Sequence, residues 1–521
     1  MTLTELLENV YDELIRYIPD EVYKYIPKSL ITRSLLVGAV TGTLGYLLFR
    51  KRYRLPPGPF ALPIIGSPQF LSSSKENLGR VFHKISKKYG PVFTLYLGPY
   101  PAIVLNRIDV INEAILKKAT HYSDRIARYS VQKPSYNGQD IAFGRFGTAW
   151  KLRRKIASRG IRLFMISGAI DNKIEEAVSE TIRAMMKETE PFDPMPFLYF
   201  TTVNILAGMC FGTSYKYKDN DFEFIMGRLE TITESMSGGI LIEDIFPPMR
   251  LFPSKKLLDF QNNFDELFQY IDKHMKDHRR NFQPDNISDL TDNLLLAQKE
   301  VEAEGKDNMA EFNDLHITLT LFDVFLAGND TSRQTLYWAV LLIAAHPDIQ
   351  TKIQQEVDSV CGRERYPCMA DRENLSYTDA VLHEVMRLGT VAPLGVPRNT
   401  SCDTTIAGYD VPEGTTVFIN QWAIMNDPDN WQDVDKFKPE RFLDEDGKMA
   451  PKPENWLPFG AGRRVCLGEP LAKSELHLII ASLCQRVHIS LEPGVPVNIK
   501  AKDAQIVNLP NPYKITIKER I

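Results

Sequence analysis

The stretch Phe459-Gly460-Ala461-Gly462-Arg463-Arg464-Val465-Cys466-Leu467-Gly468 constrains the fold of this chain most tightly. It sets a lone thiol in a turn that runs straight into a helix. Gly460 and Gly462 let the backbone turn sharply before the cysteine. Glu469-Pro470-Leu471-Ala472-Lys473-Ser474-Glu475-Leu476 reads as a helix start. Peptide N–H groups at such a start point toward the sulfur and stabilise negative charge there. Arg464 adds positive charge, which favours the thiolate, and Gly468 lets a flat partner approach closely.

A thiolate is the form of cysteine that ligates metal, and a cysteine thiolate as sole protein ligand is one known way to hold haem iron. For an isolated cysteine, a free thiol in a glycine-rich turn is the ordinary reading. Composition does not separate the two. The 521 residues are 44% hydrophobic and 25% charged, as in ordinary globular proteins. The net charge of -4, without a basic tail or zinc-finger spacing, gives no reason to expect nucleic acid. Six cysteines without a CxxC pair argue against a disulfide framework and for a reducing compartment. No P-loop, nucleophile elbow or dinucleotide fingerprint occurs in a suitable context.

The N-terminus reads separately. Residues 1–30 carry apolar positions at helical spacing (Leu3, Leu6, Leu7, Val10, Leu14, Ile18). A helix packed on the protein and an interfacial helix fit them equally. Residues 31–50 contain the uncharged run Ser34–Phe49 between Arg33 and Arg50, which as a helix reaches roughly 24 Å, short of a ~30 Å hydrocarbon core. With snorkelling arginines it reads as a transmembrane anchor, and Arg50-Lys51-Arg52 behind it places the remainder in the cytosol. Residues 51–60 contain Leu55-Pro56-Pro57-Gly58-Pro59, a stiff hinge. Residues 61–521 show mostly helical periodicity with short strand-like runs at Phe93–Leu97, Ala102–Leu105 and Thr415–Ile419. The expectation is one large, mainly α domain with a small β region.

Three further constellations suggest chemistry. Residues 314–345 form a long apolar helical stretch interrupted at Ala327-Gly328-Asn329-Asp330-Thr331-Ser332. Thr and Ser in a helix bond back to the i−4 carbonyl and bend it, which is the structural reading. In the functional reading Gly328 opens a notch for dioxygen, Thr331 supplies a hydroxyl beside it and Asp330 relays protons. Glu384 and Arg387 share a helix face at i, i+3, where an exposed ion pair is the default. Trp150 and Arg154, at i, i+4, form either an ordinary amphipathic face or a clamp for an anion such as a haem propionate.

Together these segments resemble the cytochrome P450 family. The quoted parts are the Phe-x-x-Gly-x-Arg-x-Cys-x-Gly loop, Ala327-Gly328-Asn329-Asp330-Thr331, Glu384-Val385-Met386-Arg387, and Pro439-Glu440-Arg441-Phe442 ahead of the cysteine. The anchor and hinge match its animal microsomal branch. Segments such as Cys210-Phe211-Gly212-Thr213 and Ile419-Asn420-Gln421-Trp422 look most like the steroid 17α-hydroxylase/17,20-lyases. The resemblance implies haem b (iron protoporphyrin IX), with Cys466 on the iron and Arg125, Trp150, Arg154, Arg398 and Arg464 around the propionates. It implies Thr331 and Asp330 as catalytic proton donors and a buried triad of Glu384, Arg387 and Arg441 bracing the loop. Ala327, Val396 and Leu229 would contact substrate, with Leu229 standing where steroid hydroxylases carry a sterol-anchoring Asn. Expected partners are NADPH–cytochrome P450 reductase, met by a basic patch of Lys151, Arg153, Lys155 and Arg463, cytochrome b5, a lipophilic substrate and the endoplasmic reticulum membrane. A steroid-hydroxylating monooxygenase is the leading expectation. A broad xenobiotic or fatty-acid hydroxylase is the alternative, and a haem sensor without turnover comes from another class.

Overall fold

Long apolar segments without strict amphipathicity must be buried on all sides, and two of them form the centre of the molecule. The computed structural model describes residues 38, 53–62, 66–67, 76–237, 241–304, 312–502, 504 and 506–520. Its longer helices are α1 Leu78–Tyr89, α2 Thr148–Ile166, α3 Ala169–Met185, α4 Met195–Phe211, α5 Asn220–Ser237 and α6 Lys255–Asn281. They continue with α7 Leu290–Glu304, α8 Asp314–Ala345, α9 Pro347–Cys361, α10 Ser376–Gly389 and α11 Glu469–Arg486.

Helix α8 runs for 32 residues and packs against α4 and α11. Asn313 starts it, accepting the His316 N–H on its side chain. Residues 327–332 do not interrupt it. Their polar side chains are absorbed along the helix instead: the Thr331 hydroxyl donates to the Ala327 carbonyl (2.8 Å) and the Asn329 amide to the Phe325 carbonyl (2.8 Å). The sequence expectation of a break is corrected by this back-bonding.

Strands β1 Val92–Leu97, β2 Tyr100–Leu105, β3 Arg398–Asn399 and β6 Thr416–Ile419 form one sheet in the order β1-β2-β6-β3. The β2–β6 pair is parallel and the others antiparallel, with Arg398 opposite Val417. Hairpins β4 Thr404–Ile406 with β5 Tyr409–Val411, and β7 Val487–Leu491 with β8 Ile515–Glu519, complete the strands named here. Helices thus dominate and the strands are few.

The proline-rich segment is docked on β1. Pro57 accepts the Thr94 N–H (3.0 Å), Pro56 accepts the Thr94 hydroxyl (2.9 Å), and a Cβ on Gly58 would lie 1.9 Å from the Thr94 carbonyl oxygen. Residues from Pro56 to Ile521 accordingly form one unit. The segment expected at 1–30 lies outside the described residues, as does the anchor expected at 31–50 apart from Gly38. Among the described residues no helix is long and apolar enough to cross a membrane.

Candidate active site

The cysteine loop is shaped by its glycines. Gly460 and Gly462 have φ of 68° and 71°, a region costly for side-chain-bearing residues, and a Cβ on Gly462 would meet the Ile115 carbonyl oxygen at 2.3 Å. The Cys466 N–H closes the turn on the Phe459 carbonyl (3.0 Å). Gly468 caps α11, and the N–H groups of Gly468 and Glu469 bond to the thiol. Burial pushes the thiol pKa up, while those N–H groups and the Arg154 charge oppose the rise. Arg154, rather than Arg464, is the cation beside the sulfur; it also donates to the Val465 carbonyl (2.5 Å). Arg464 points away, to the Ser123 carbonyl (2.8 Å) and the Ile141 carbonyl (3.3 Å).

Cys466 is accessible although desolvated, the signature of a group lining an internal recess. On α8, Ala327 and Thr331 are likewise accessible along an otherwise largely buried helix, one turn apart on one face. Helix α8 packs on α11, where Ser332 bonds to the buried carboxyl of Glu475. Gly328 faces elsewhere. Its Cβ would press on Leu206 of α4 at 2.8 Å, so this glycine serves helix packing and the expected dioxygen notch does not lie there.

Asp330 is fully engaged. It accepts from the Thr233 hydroxyl (2.7 Å), from Arg333 (2.6 Å) and from Gln334 (2.6 Å). Leu229 has no accessible surface, so it packs in the core rather than lining a substrate space. Val396 is 45% exposed.

The arginines form two sets. Glu384 and Arg387 are wholly buried, so the exposed pair that spacing alone suggests does not form and the pair is buried as the resemblance implies. Arg387 grips Glu384 at both carboxylate oxygens (2.7 and 2.9 Å) and Arg441 adds a third contact (3.0 Å). Arg387 also donates to the Met425 and Val434 carbonyls, and the Lys438 N–H reaches Glu384. This triad ties α10 to residues 425–441, and Trp456, bonded to the His383 carbonyl, extends the tie toward the cysteine loop.

The second set is Arg125, Arg398 and Arg464. Each donates to main-chain carbonyls, of Ala142, Ala461 (2.8 Å), and Ser123 with Ile141 and Gly144, respectively. Among the described residues none makes an ion pair, and the Arg125 Nε and Arg398 Nη1 are buried without a partner. Burial, followed by mutual repulsion, brings Arg398 down to about 9 and Arg464 to about 8; Arg125 falls to about 10, mainly from burial, against the pull of Asp140. Three crowded, desolvated cations with orphan donors fit a buried group bearing two negative charges. The open space at Gly468, where a Cβ would touch nothing, fits a flat one.

Trp150 belongs here by stacking. Arg464 lies 3.9 Å from its ring centroid, while its indole N–H is committed to the Ile141 carbonyl (3.0 Å). The N–H expected to reach an anion is therefore already used. Of the basic patch, Lys151, Lys155 and Arg463 are exposed, but Arg153 is buried and donates to the Gln139 carbonyl.

Sequence reasoning missed two acids, Asp140 and Asp323. Asp323 accepts the N–H groups of Ile141 (2.8 Å) and Ala142 (3.0 Å). The available signal was its isolation as the only carboxylate between Asp314 and Asp330 in an apolar run, on the stripe of Ala327 and Thr331.

Comparison with known proteins agrees with this geometry. The chain matches the cytochrome P450 family profile over residues 56–517. It is 34% identical to a steroid 17-alpha-hydroxylase/17,20 lyase of Squalus acanthias, over 94% of this chain and 98% of that protein. It is 30% identical to cytochrome P450 2U1 of Bos taurus, covering 94% of each chain, and 30% identical to human cytochrome P450 1B1, covering 94% and 93%. A haem-iron cofactor, a redox partner and a lipophilic substrate go with that membership. The chain belongs to the cytochrome P450 family of monooxygenases.

Proposed function

We propose that the chain is a membrane-anchored haem-thiolate monooxygenase of the endoplasmic reticulum that hydroxylates a steroid-like lipophile. One observation carries the reading. An accessible thiol, braced by two helix-start N–H groups, shares its loop with Arg464, which clusters with Arg125 and Arg398, two arginines that each bury a donor without a partner. In this reading Cys466 ligates the iron of haem b, and Arg125, Arg398 and Arg464 hold the propionates, with Trp150 stacked on Arg464 and Arg154 beside the sulfur. When bound, the haem iron supplies oxygen activation, favoured by electron density from the thiolate.

The remaining work belongs to the chain. Ala327 and Val396 offer small apolar surface to a lipophile. The Thr331 hydroxyl holds a proton at Oγ1 and, in this structure, donates it to Ala327. Asp330, with one lone pair left beside its three donors, is the carboxylate assigned to relay a proton from solvent. Thr233, on α5, is one of those donors and ties Asp330 to that helix. The Glu384–Arg387–Arg441 triad keeps the cysteine loop fixed through these changes. Electrons come from NADPH–cytochrome P450 reductase, with cytochrome b5 as a second donor, docking at Lys151, Lys155 and Arg463. In this reading residues 31–50 serve as the membrane anchor and 51–60 as the hinge before the domain of residues 61–521.

The test is the carbon monoxide difference spectrum of the reduced protein. Wild type gives the red-shifted Soret band of thiolate ligation, Cys466→Ser loses it, and Cys484→Ser keeps it. Wild type without that band contradicts the reading.

One observation favours a second substrate class, xenobiotics or fatty acids. Leu229 is fully buried and offers no polar anchor for a sterol. A tightly bound steroid that shifts the iron from low to high spin supports the first class. Rapid turnover of planar aromatics without such a shift supports the second.

A further inference from the structure

Residues 139–144 form a strap with two chemically distinct sides. Its carbonyls face the arginine cluster: Gln139 accepts from Arg153, Ile141 from Trp150 and Arg464, Ala142 from Arg125, and Gly144 from Arg464. Its N–H groups face α8. Those of Ile141 and Ala142 both end on a single oxygen of Asp323, and that of Phe143 returns to Asp140 (2.9 Å). Gly144 fixes the end of the strap, since a Cβ there would sit 2.3 Å from the Asp140 carbonyl oxygen. The same peptide units that orient Arg125, Trp150 and Arg464 are therefore anchored by one side chain of the helix that carries Thr331.

Two N–H donors on one carboxylate oxygen are charge-assisted bonds, stronger than neutral ones. Without that acceptor both N–H groups are left desolvated and unpaired, and the strap must move to satisfy them. Burial raises Asp323 to about 6 while the two N–H groups and Arg125 pull it back, and its neighbour Asp140 is pushed up by burial and by Asp323. An acid retained in such surroundings, in the middle of an apolar helix, is costly unless its contacts do something.

We propose that Asp323 is a positioning residue for the anion clamp. By holding the Ile141 and Ala142 N–H groups it fixes the strap whose carbonyls orient Arg125, Trp150 and Arg464, and so joins helix α8 to the chain's grip on the cofactor carboxylates. The inference rests on the haem-binding reading above. It assigns no contact between Asp323 and the cofactor itself.

The test uses the haem-loaded full chain and two readouts: amide hydrogen exchange over residues 141–143, and the rate at which haem passes to excess apomyoglobin. Asp323→Leu removes the acceptor, and both rates rise at least about tenfold, the size expected for losing charge-assisted bonds. Asp323→Asn keeps an oxygen in place without charge, and recovers most of both rates. Val357→Ala, a core deletion on α9, loses stability without moving either readout. Faster exchange at the strap with unchanged haem release in either Asp323 variant overturns the proposal, as does unchanged exchange. Should Asp323→Leu fail to fold, Asp323→Asn decides, because its two rates must then rise together, by a few-fold. Failure of the haem-thiolate reading is a different result: wild type itself would lack the thiolate band, whatever the strap does.

Discussion

Two sets of buried arginines in this molecule meet opposite fates. Arg387 and Arg441 converge on the Glu384 carboxylate, and each remaining donor named above finds a carbonyl, so both cations have an anionic partner within the protein. Arg125, Arg398 and Arg464 crowd together with hydrogen bonds to main-chain carbonyls and no ion pair among the described residues, and two of their buried nitrogens have no partner. A neutralised set belongs to the scaffold. An un-neutralised set has a stability cost that only a bound anion offsets. The contrast separates structural from binding arginines without reference to any relative.

The largest expected effect lies in the first set. Arg387→Ala strands Glu384 in the core with only Arg441 to balance it, and lowers the unfolding free energy by about 3–5 kcal/mol. Denaturant unfolding measures this, and a loss below about 1 kcal/mol would erase the distinction between the sets.

The second set responds in the opposite sense. Arg398→Met removes a desolvated, repelled cation, so the cofactor-free chain becomes no less stable, while the loaded chain releases haem at least about tenfold faster. The pH dependence follows from the same cause. The folded chain gives up the Arg398 proton above about 9, whereas the unfolded chain keeps it to the ordinary arginine value. The unfolded state binds more protons in that window, so the stability of the cofactor-free wild type relative to Arg398→Met climbs as pH rises above about 9. Paired urea titrations across that range check the sign.

Gly462→Ala is a smaller perturbation, costing about 1–3 kcal/mol from a left-handed backbone, with the Ile115 carbonyl forced aside. Lys155→Glu, on an exposed helix face, is expected within about 0.5 kcal/mol of wild type in stability. Its effect belongs in the salt dependence of electron delivery, read as reduction rate against ionic strength.

How much of this was legible beforehand follows the range of the forces involved. Gly460, Gly462 and Cys466 act through their immediate neighbours, so local sequence spelled out the turn and the helix start behind it. Glu384 and Arg387 were visible as a pair from spacing, but their burial was legible only through the family resemblance, because it is imposed by residues 425–441 farther along the chain. Arg464 was expected beside the sulfur, and its actual direction was not legible because its partners, Ser123, Ile141 and Gly144, lie more than 300 residues away. Gly328 suggested a notch from propensity alone, whereas Leu206 on another helix decides which way its missing side chain faces. Asp323 had a signal, a lone acid in an apolar run, yet its meaning required the strap that only the folded chain brings to it.

The account stands on the claim that Arg125, Arg398 and Arg464 await a group with two carboxylates. Titrating the cofactor-free chain with ferric protoporphyrin IX and with its dimethyl ester, which keeps the iron and the ring but not the charges, tests it directly. The diacid is expected to bind at least about tenfold tighter than the ester, with the gap narrowing in Arg398→Met. Equal affinity for the two porphyrins would contradict the account.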